Sequence, residues 1–171
     1  WVRNRDGKTY SANLLSKRFV DPTMDLTGAQ PYDLFTGAAM SANGKWLAVN
    51  YHTKIVSRNQ KDEGNRVARF DLEADTLQLL SCPDASAEIS YYATGISNEG
   101  TVVGFVEEQA QNSRKAAMCP AGTKEMKLLA DLYPTITEFA TMDEKNLNEV
   151  TAITPDGRYL QGFGYVDLNE E

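Results

Sequence analysis

The sequence predicts an all-β domain built from a repeated four-stranded unit, and three observations carry that prediction. A glycine-turn hairpin recurs as MSANGKWLAVNYH (40–52), ISNEGTVVGFVEE (96–108) and ITPDGRYLQGFGY (153–165). A second element, opening on Ala and closing on Leu-Leu, recurs as ARFDLEADTLQLL (68–80) and AMCPAGTKEMKLL (117–129). The segments between these elements are polar and differ in length, as surface connections between constant strands do.

The turn glycines Gly44, Gly100 and Gly157 lie 56 and 57 residues apart, which sets a unit of about 56 residues. Each has an apolar residue four positions before it, Met40, Ile96 and Ile153, and a short apolar-rich run after it. Asn43-Gly44 and Asp156-Gly157 predict primed turns with positive φ at both central positions, and Asn98 is expected to help Glu99-Gly100 do the same. The flanking runs are rich in β-branched and aromatic residues, so each copy reads as strand, turn, strand. The Ala-to-Leu-Leu element reads the same way, with its turn at Glu73-Ala74-Asp75 in one copy and Ala121-Gly122-Thr123 in the other.

Taken in order, the chain opens on a lone second half (1–16) whose Asp6-Gly7 supplies a turn. Two full units follow, at 38–81 and 93–130, and the chain closes on a lone first half at 150–168. The stretch 21–37 holds two prolines and two glycines and reads as a loop. The stretches ADLYPTITEF (130–139) and ATMDEKNLNE (140–149) each have room for one helical turn, and little other helix is expected. The two lone halves are expected to pair and close a ring, which would remove exposed sheet edges.

The pattern A-x-x-I-S/T-x-x-G-x-x-V-x-G-F, then a loop, then A-x-x-W/F-D and L-x-x-L, is matched best by ATGISNEGTVVGFVEE (93–108) with KAAMCPAGTKEMKLL (115–129). AMSANGKWLAVNY with ARFDLEADTLQLL also fits, with Phe70-Asp71 at the aromatic-acidic position. This pattern resembles the HAF-type repeats of bacterial extracellular proteins and, more loosely, WD-like β-propeller repeats, over roughly two thirds of the chain. The resemblance implies a β-propeller-like fold and an exported bacterial protein, extracellular or periplasmic. It implies no single activity. Two full units and two halves would make about three blades, whereas propellers usually have four or more. The alternatives are an unusually small ring, part of a longer propeller, or two chains completing one another as a homo-oligomer through open sheet edges.

Length and a hydrophobic share of 42% in 171 residues suit one packed domain rather than two. A net charge of −7 argues against nucleic acid as a partner, because an acidic surface repels phosphates. No run approaches the roughly 18 apolar residues of a membrane span. The N-terminal WVRNRDGKTY lacks the apolar core of a signal peptide, and a chain opening on Trp reads as mature, trimmed or excised. Cys82 and Cys119 fit no zinc spacing; they read as unpaired thiols or as one disulfide.

The candidates for chemistry are few. His52 is the sole histidine, and it reads as a solvated loop residue rather than a base or metal ligand. The carboxylates of DPTMD (21–25) and DLEAD (71–75) lack the spacing of a calcium loop and read as turn caps. Glu107-Glu108 and Asp167 with Glu170-Glu171 read as charged strand ends. If two of them faced one another across a cleft, Glu107, Glu108 or Asp167 would suit glycoside hydrolysis. No phosphate-binding loop is present, and Gly104 and Gly162 read as positions of close packing. Trp46, Tyr51, Tyr91, Tyr92, Tyr159, Phe163 and Tyr165 cluster in or just before the first-half hairpins, where they fill space between sheets or line a loop face.

The leading functional expectation is a non-catalytic module that binds a protein, peptide or glycan at a face rimmed by Tyr32, Trp46, Tyr91 and Tyr92, with no cofactor. A carbohydrate-active enzyme is the second expectation. A purely structural part of a larger propeller is the third.

Overall fold

The computed structural model describes residues 2–5, 8–11, 35–52, 64–74, 76–86, 88–134 and 147–164. Its elements are β1 (Val2–Arg5), β2 (Lys8–Ser11), β3 (Phe35–Met40), β4 (Trp46–His52), β5 (Asn65–Asp71), β6 (Thr76–Leu79), β7 (Ile89–Ile96), β8 (Val102–Glu108), β9 (Ser113–Cys119), β10 (Lys127–Leu128), β11 (Leu147–Ile153) and β12 (Leu160–Gly164). One 3-10 turn (Gln109–Gln111) and one helical turn, α1 (Leu129–Leu132), complete the described elements. Among the described residues the chain is all-β, and every pairing between these named strands is antiparallel.

Two sheets have four strands each, in the orders β3-β4-β5-β6 and β7-β8-β9-β10, so in both the chain steps to the adjacent strand at each turn. The β1–β2 and β11–β12 hairpins form two-stranded sheets. The second sheet lies between its neighbours: β7 packs on β3, β4 and β5, and β11 packs on β7, β8 and β9. This position explains β8, VVGFVEE, whose first five residues are all buried. A strand covered on both faces reads as a continuous apolar run rather than an alternating one.

Side chains sort by the period of two. Val102 and Val106 of β8 and Ala117 and Cys119 of β9 enter a core shared with Ala48 and Val67 of the first sheet. Val103, Ala116 and Met118 point the opposite way, into a core with Val150 of β11. A third cluster, with Leu47, Val49, Tyr51, Ala68 and Phe70, occupies the far face of the first sheet. In β7, Tyr91, Ala93 and Ile96 all enter the first of these cores. A bulge between Ala93 and Gly95 makes this parity work, because one extra residue flips the alternation.

The strands β3 and β7 begin three or four residues before the units expected at 38 and 93, and β11 begins at Leu147 rather than 150. The expected helical turn in 130–139 is found one residue earlier, as α1. Residues 140–146 of the other helical stretch lie outside the described residues, and its last three are strand. Of the loop expected at 21–37, residues 21–34 lie outside the described residues and 35–37 open β3.

The turns correct one expectation. Gly44, Gly100 and Gly157 have positive φ of 64°, 88° and 74°, whereas Asn43, Asn98 and Asp156 are not among the positive-φ residues. The N–H of each glycine donates to the carbonyl three residues back, at 2.8 Å to Ser41, 3.1 Å to Ser97 and 2.9 Å to Thr154. These are type I turns followed by a left-handed glycine, not primed turns. The polar residue acts through its side chain instead. Asn43 Oδ1 accepts from the Lys45 N–H at 2.9 Å, and Asp156 Oδ1 from the Arg158 N–H at 3.2 Å. That bond and one from the Thr154 hydroxyl hold the Asp156 pKa below its ordinary value, the hydroxyl having the larger effect.

Gly104 and Gly162 are tightly packed positions. A Cβ would come within 1.8 Å of the Tyr92 carbonyl oxygen at Gly104 and 2.3 Å of the Glu149 carbonyl oxygen at Gly162.

Candidate functional site

The aromatic residues singled out from the sequence occupy three different settings. Tyr32 lies outside the described residues. Trp46 is half-buried at the start of β4, where its indole lies on Gly100; a Cβ there would meet the ring at 2.9 Å. The Arg69 guanidinium and the Lys45 ammonium stand 5.7 Å and 5.3 Å from the Trp46 ring centre. Tyr92 stacks on Phe105 with centroids 4.9 Å apart, and its hydroxyl accepts from Asn65 Nδ2 at 2.6 Å. Tyr91, its neighbour along the strand, faces the other side and is only 6% exposed. The structure therefore does not gather Trp46, Tyr91 and Tyr92 on one face. The reason is the strand period, which sends adjacent residues apart.

Tyr91 does line a cleft of about 470 Å³ beside β10 and α1. Its hydroxyl donates to the Pro83 carbonyl at 2.6 Å. Burial, reinforced by Cys82 and by the carboxylates around the cleft, pushes its pKa up to about 12. Ile89 and Leu128 add apolar surface over the buried Val106 and Met126, and Leu132 of α1 closes one side. The rim carries both signs of charge. Lys115 Nζ meets Glu108 Oε1 at 2.7 Å, Lys127 Nζ meets Glu125 Oε2 at 3.6 Å, and Asp84 and Asp131 add two more carboxylates.

The cleft was hidden from sequence reasoning because a non-local crossing builds it. The segment 117–129 reads as strand, turn, strand, but its last strand shrinks to Lys127–Leu128. Residues 124–126 instead straddle Ser81: the Ser81 N–H donates to Lys124 at 2.7 Å and the Met126 N–H donates to Ser81 at 2.9 Å. This crossing buries Met126 completely and turns the chain into α1. The one local signal was the Leu128-Leu129 pair, which splits between the cleft and the core beneath α1.

The acidic residues are also dispersed. Glu107 and Glu108 are consecutive on β8 and point to opposite faces. Glu108 reaches Lys115 in the cleft, whereas Glu107 pairs with Arg114 at 2.9 Å, and Arg114 bridges on to Glu149 of β11 at 3.0 Å. Two carboxylates on opposite faces of a strand cannot flank one glycosidic bond. Asp167 lies outside the described residues. His52 ends β4, paired with Asn65, rather than opening a loop. Among the described residues no group of three His, Cys, Asp or Glu is placed to hold a metal ion, and no helix is long and apolar enough to cross a membrane.

Both cysteines are free and buried. Burial pushes the Cys82 thiol up to about 11. Near Cys119 lies Arg69, a buried guanidinium that donates to three neutral acceptors. Its Nε donates to Gln78 Oε1 at 2.6 Å, Nη1 to the Gly100 carbonyl at 2.7 Å, and Nη2 to the Thr123 carbonyl at 2.5 Å. Burial draws its pKa down, and the field of Cys119 acts in the opposite sense. Arg69 thus ties the first sheet to two loops of the second.

Comparison with protein-family models, with curated proteins and with solved structures found no match.

Proposed function

We propose that the chain is a non-catalytic binding module on an exported bacterial protein, and that it holds a short protein, peptide or glycan segment in the cleft beside Tyr91. The observation that carries this reading is the cleft itself, at about 470 Å³, with apolar surface and a rim of both charges. Ligand sites ordinarily have this size and this mixture of an apolar lining with a few polar groups. In this reading the two four-stranded sheets are successive units of a propeller-like scaffold, and the β1–β2 and β11–β12 hairpins are half units. The shared strand order and the three glycine turns support it.

The test is isothermal titration against a panel of peptides and glycans, with Leu132→Asp and Lys115→Ala as variants. Both side chains are partly exposed, and because Leu132 also packs against the core around Leu129, circular dichroism checks that its exchange keeps the fold. The expected result is binding by a member of the panel, weakened at least about tenfold by Leu132→Asp while circular dichroism stays unchanged. Absence of binding across the panel, or binding indifferent to both variants, would refute the reading.

A further inference from the structure

The strand β12 differs from β4 and β8 in what covers it. Leu160 holds the register position of Leu47 and Val102, each opposite the residue four before the turn glycine. Leu47 is 1% and Val102 0% exposed, each in a core that includes side chains of the strand paired alongside, β5 or β9; Leu160 is 38% exposed. Tyr159 and Phe163 are 71% and 48% exposed. Among the described residues β12 pairs with β11 alone, so its outer N–H and C=O groups form an open edge. The β1–β2 hairpin pairs within itself and is not a strand of this sheet. The run Tyr-Leu-Gln-Gly-Phe-Gly (159–164) holds no charge and no proline, the residues that ordinarily guard an edge.

We propose that a second copy of this chain covers the edge, its β12 running antiparallel to the first across a two-fold axis. Antiparallel pairing of one strand with itself is compatible with a two-fold interface, in which each residue finds its partner twice. The absence of charge means that the copy brings no like charge opposite its own. Centring the axis on Gln161 sets Tyr159 opposite Phe163 of the copy, an aromatic cross-strand pair made twice. It also sets Leu160 opposite Gly162, which has no side chain to collide with it. Gln161 then faces its own copy. The pairing joins two hairpins, each marginal alone, into one sheet of four strands, the size of the other two sheets.

Light scattering of the full chain tests this directly. The expected mass is about twice 18.9 kDa, falling to one copy in Leu160→Lys and Phe163→Lys. Both side chains are exposed, and circular dichroism checks that the fold is kept. Gln161→Cys should link two chains by a disulfide on oxidation, because its thiol meets itself on the axis, whereas Ala74→Cys, on the exposed β5–β6 turn, should not. A monomer at every concentration overturns the proposal, whether β1–β2 of the same chain takes the edge or it stays bare. So does a dimer that survives Phe163→Lys, or one that Gln161→Cys links no faster than Ala74→Cys.

Discussion

Truncating Arg69 is the perturbation whose cost follows most directly from the structure. The guanidinium is 3% exposed and donates to Gln78, to the Gly100 carbonyl and to the Thr123 carbonyl. Arg69→Ala removes three hydrogen bonds made by a charged donor. It leaves the carbonyls of Gly100 and Thr123 without this donor, each at a cost of about 1–3 kcal/mol. It also removes the cation beside the Trp46 ring, worth about 0.5–1 kcal/mol or more. Part of this is offset, because the desolvated charge goes too. A net loss of about 3–5 kcal/mol follows, a large share of the total for a domain whose stability is ordinarily about 5–15 kcal/mol. Arg69→Lys should recover less than half, since one ammonium cannot span three acceptors on three segments. Urea unfolding followed by tryptophan fluorescence measures both variants. A loss below about 1 kcal/mol in Arg69→Ala, or a Lys variant equal to the parent, would show that the guanidinium does not tie the sheets together.

Two further predictions concern the core and alkaline pH. Gly104→Ala should destabilise by about 3 kcal/mol or more, because its Cβ would strike the Tyr92 carbonyl, a backbone atom that cannot swing aside; a stable, soluble variant would contradict that close approach. Stability should fall above pH 9: Cys82 and Tyr91 hold their protons more tightly folded than unfolded, so the Cys82 contribution, whole below 9, is lost through about 11, and that of Tyr91, whole below 10, is lost through about 12. Urea unfolding as a function of pH should show a shallower decline between 10 and 12 in Tyr91→Phe; an unchanged decline would mean that Tyr91 is not buried as described.

The hairpins β3–β4, β7–β8 and β11–β12 were the legible part, since each is announced by residues next to one another: a turn glycine and apolar flanks. Helical punctuation was also legible near α1, where Pro134 follows the single turn. The site was much less so. Tyr91 and Tyr92 look like one aromatic patch on paper, yet the strand period divides them between a cleft and a stacked pair with Phe105. The same period divides Glu107 from Glu108. The bulge at Thr94 cannot be read from composition, and it decides which of the later residues of β7 enter the core. Met126 reads as one apolar residue in a polar turn until Ser81, some forty-five residues earlier, bridges the backbone beside it. Contacts of that kind depend on how two sheets meet, which no local window of residues encodes.

The claim that the cleft beside Tyr91 is where this protein binds its ligand is tested most directly by nuclear magnetic resonance. Isotope-labelled protein would be titrated with the peptide and glycan panel while the amide signals are followed residue by residue. Changes confined to Tyr91, Lys115, Met126, Leu128 and Leu132 are the predicted result. Saturating changes centred elsewhere, on the Trp46 and Gly100 turn for example, would contradict it.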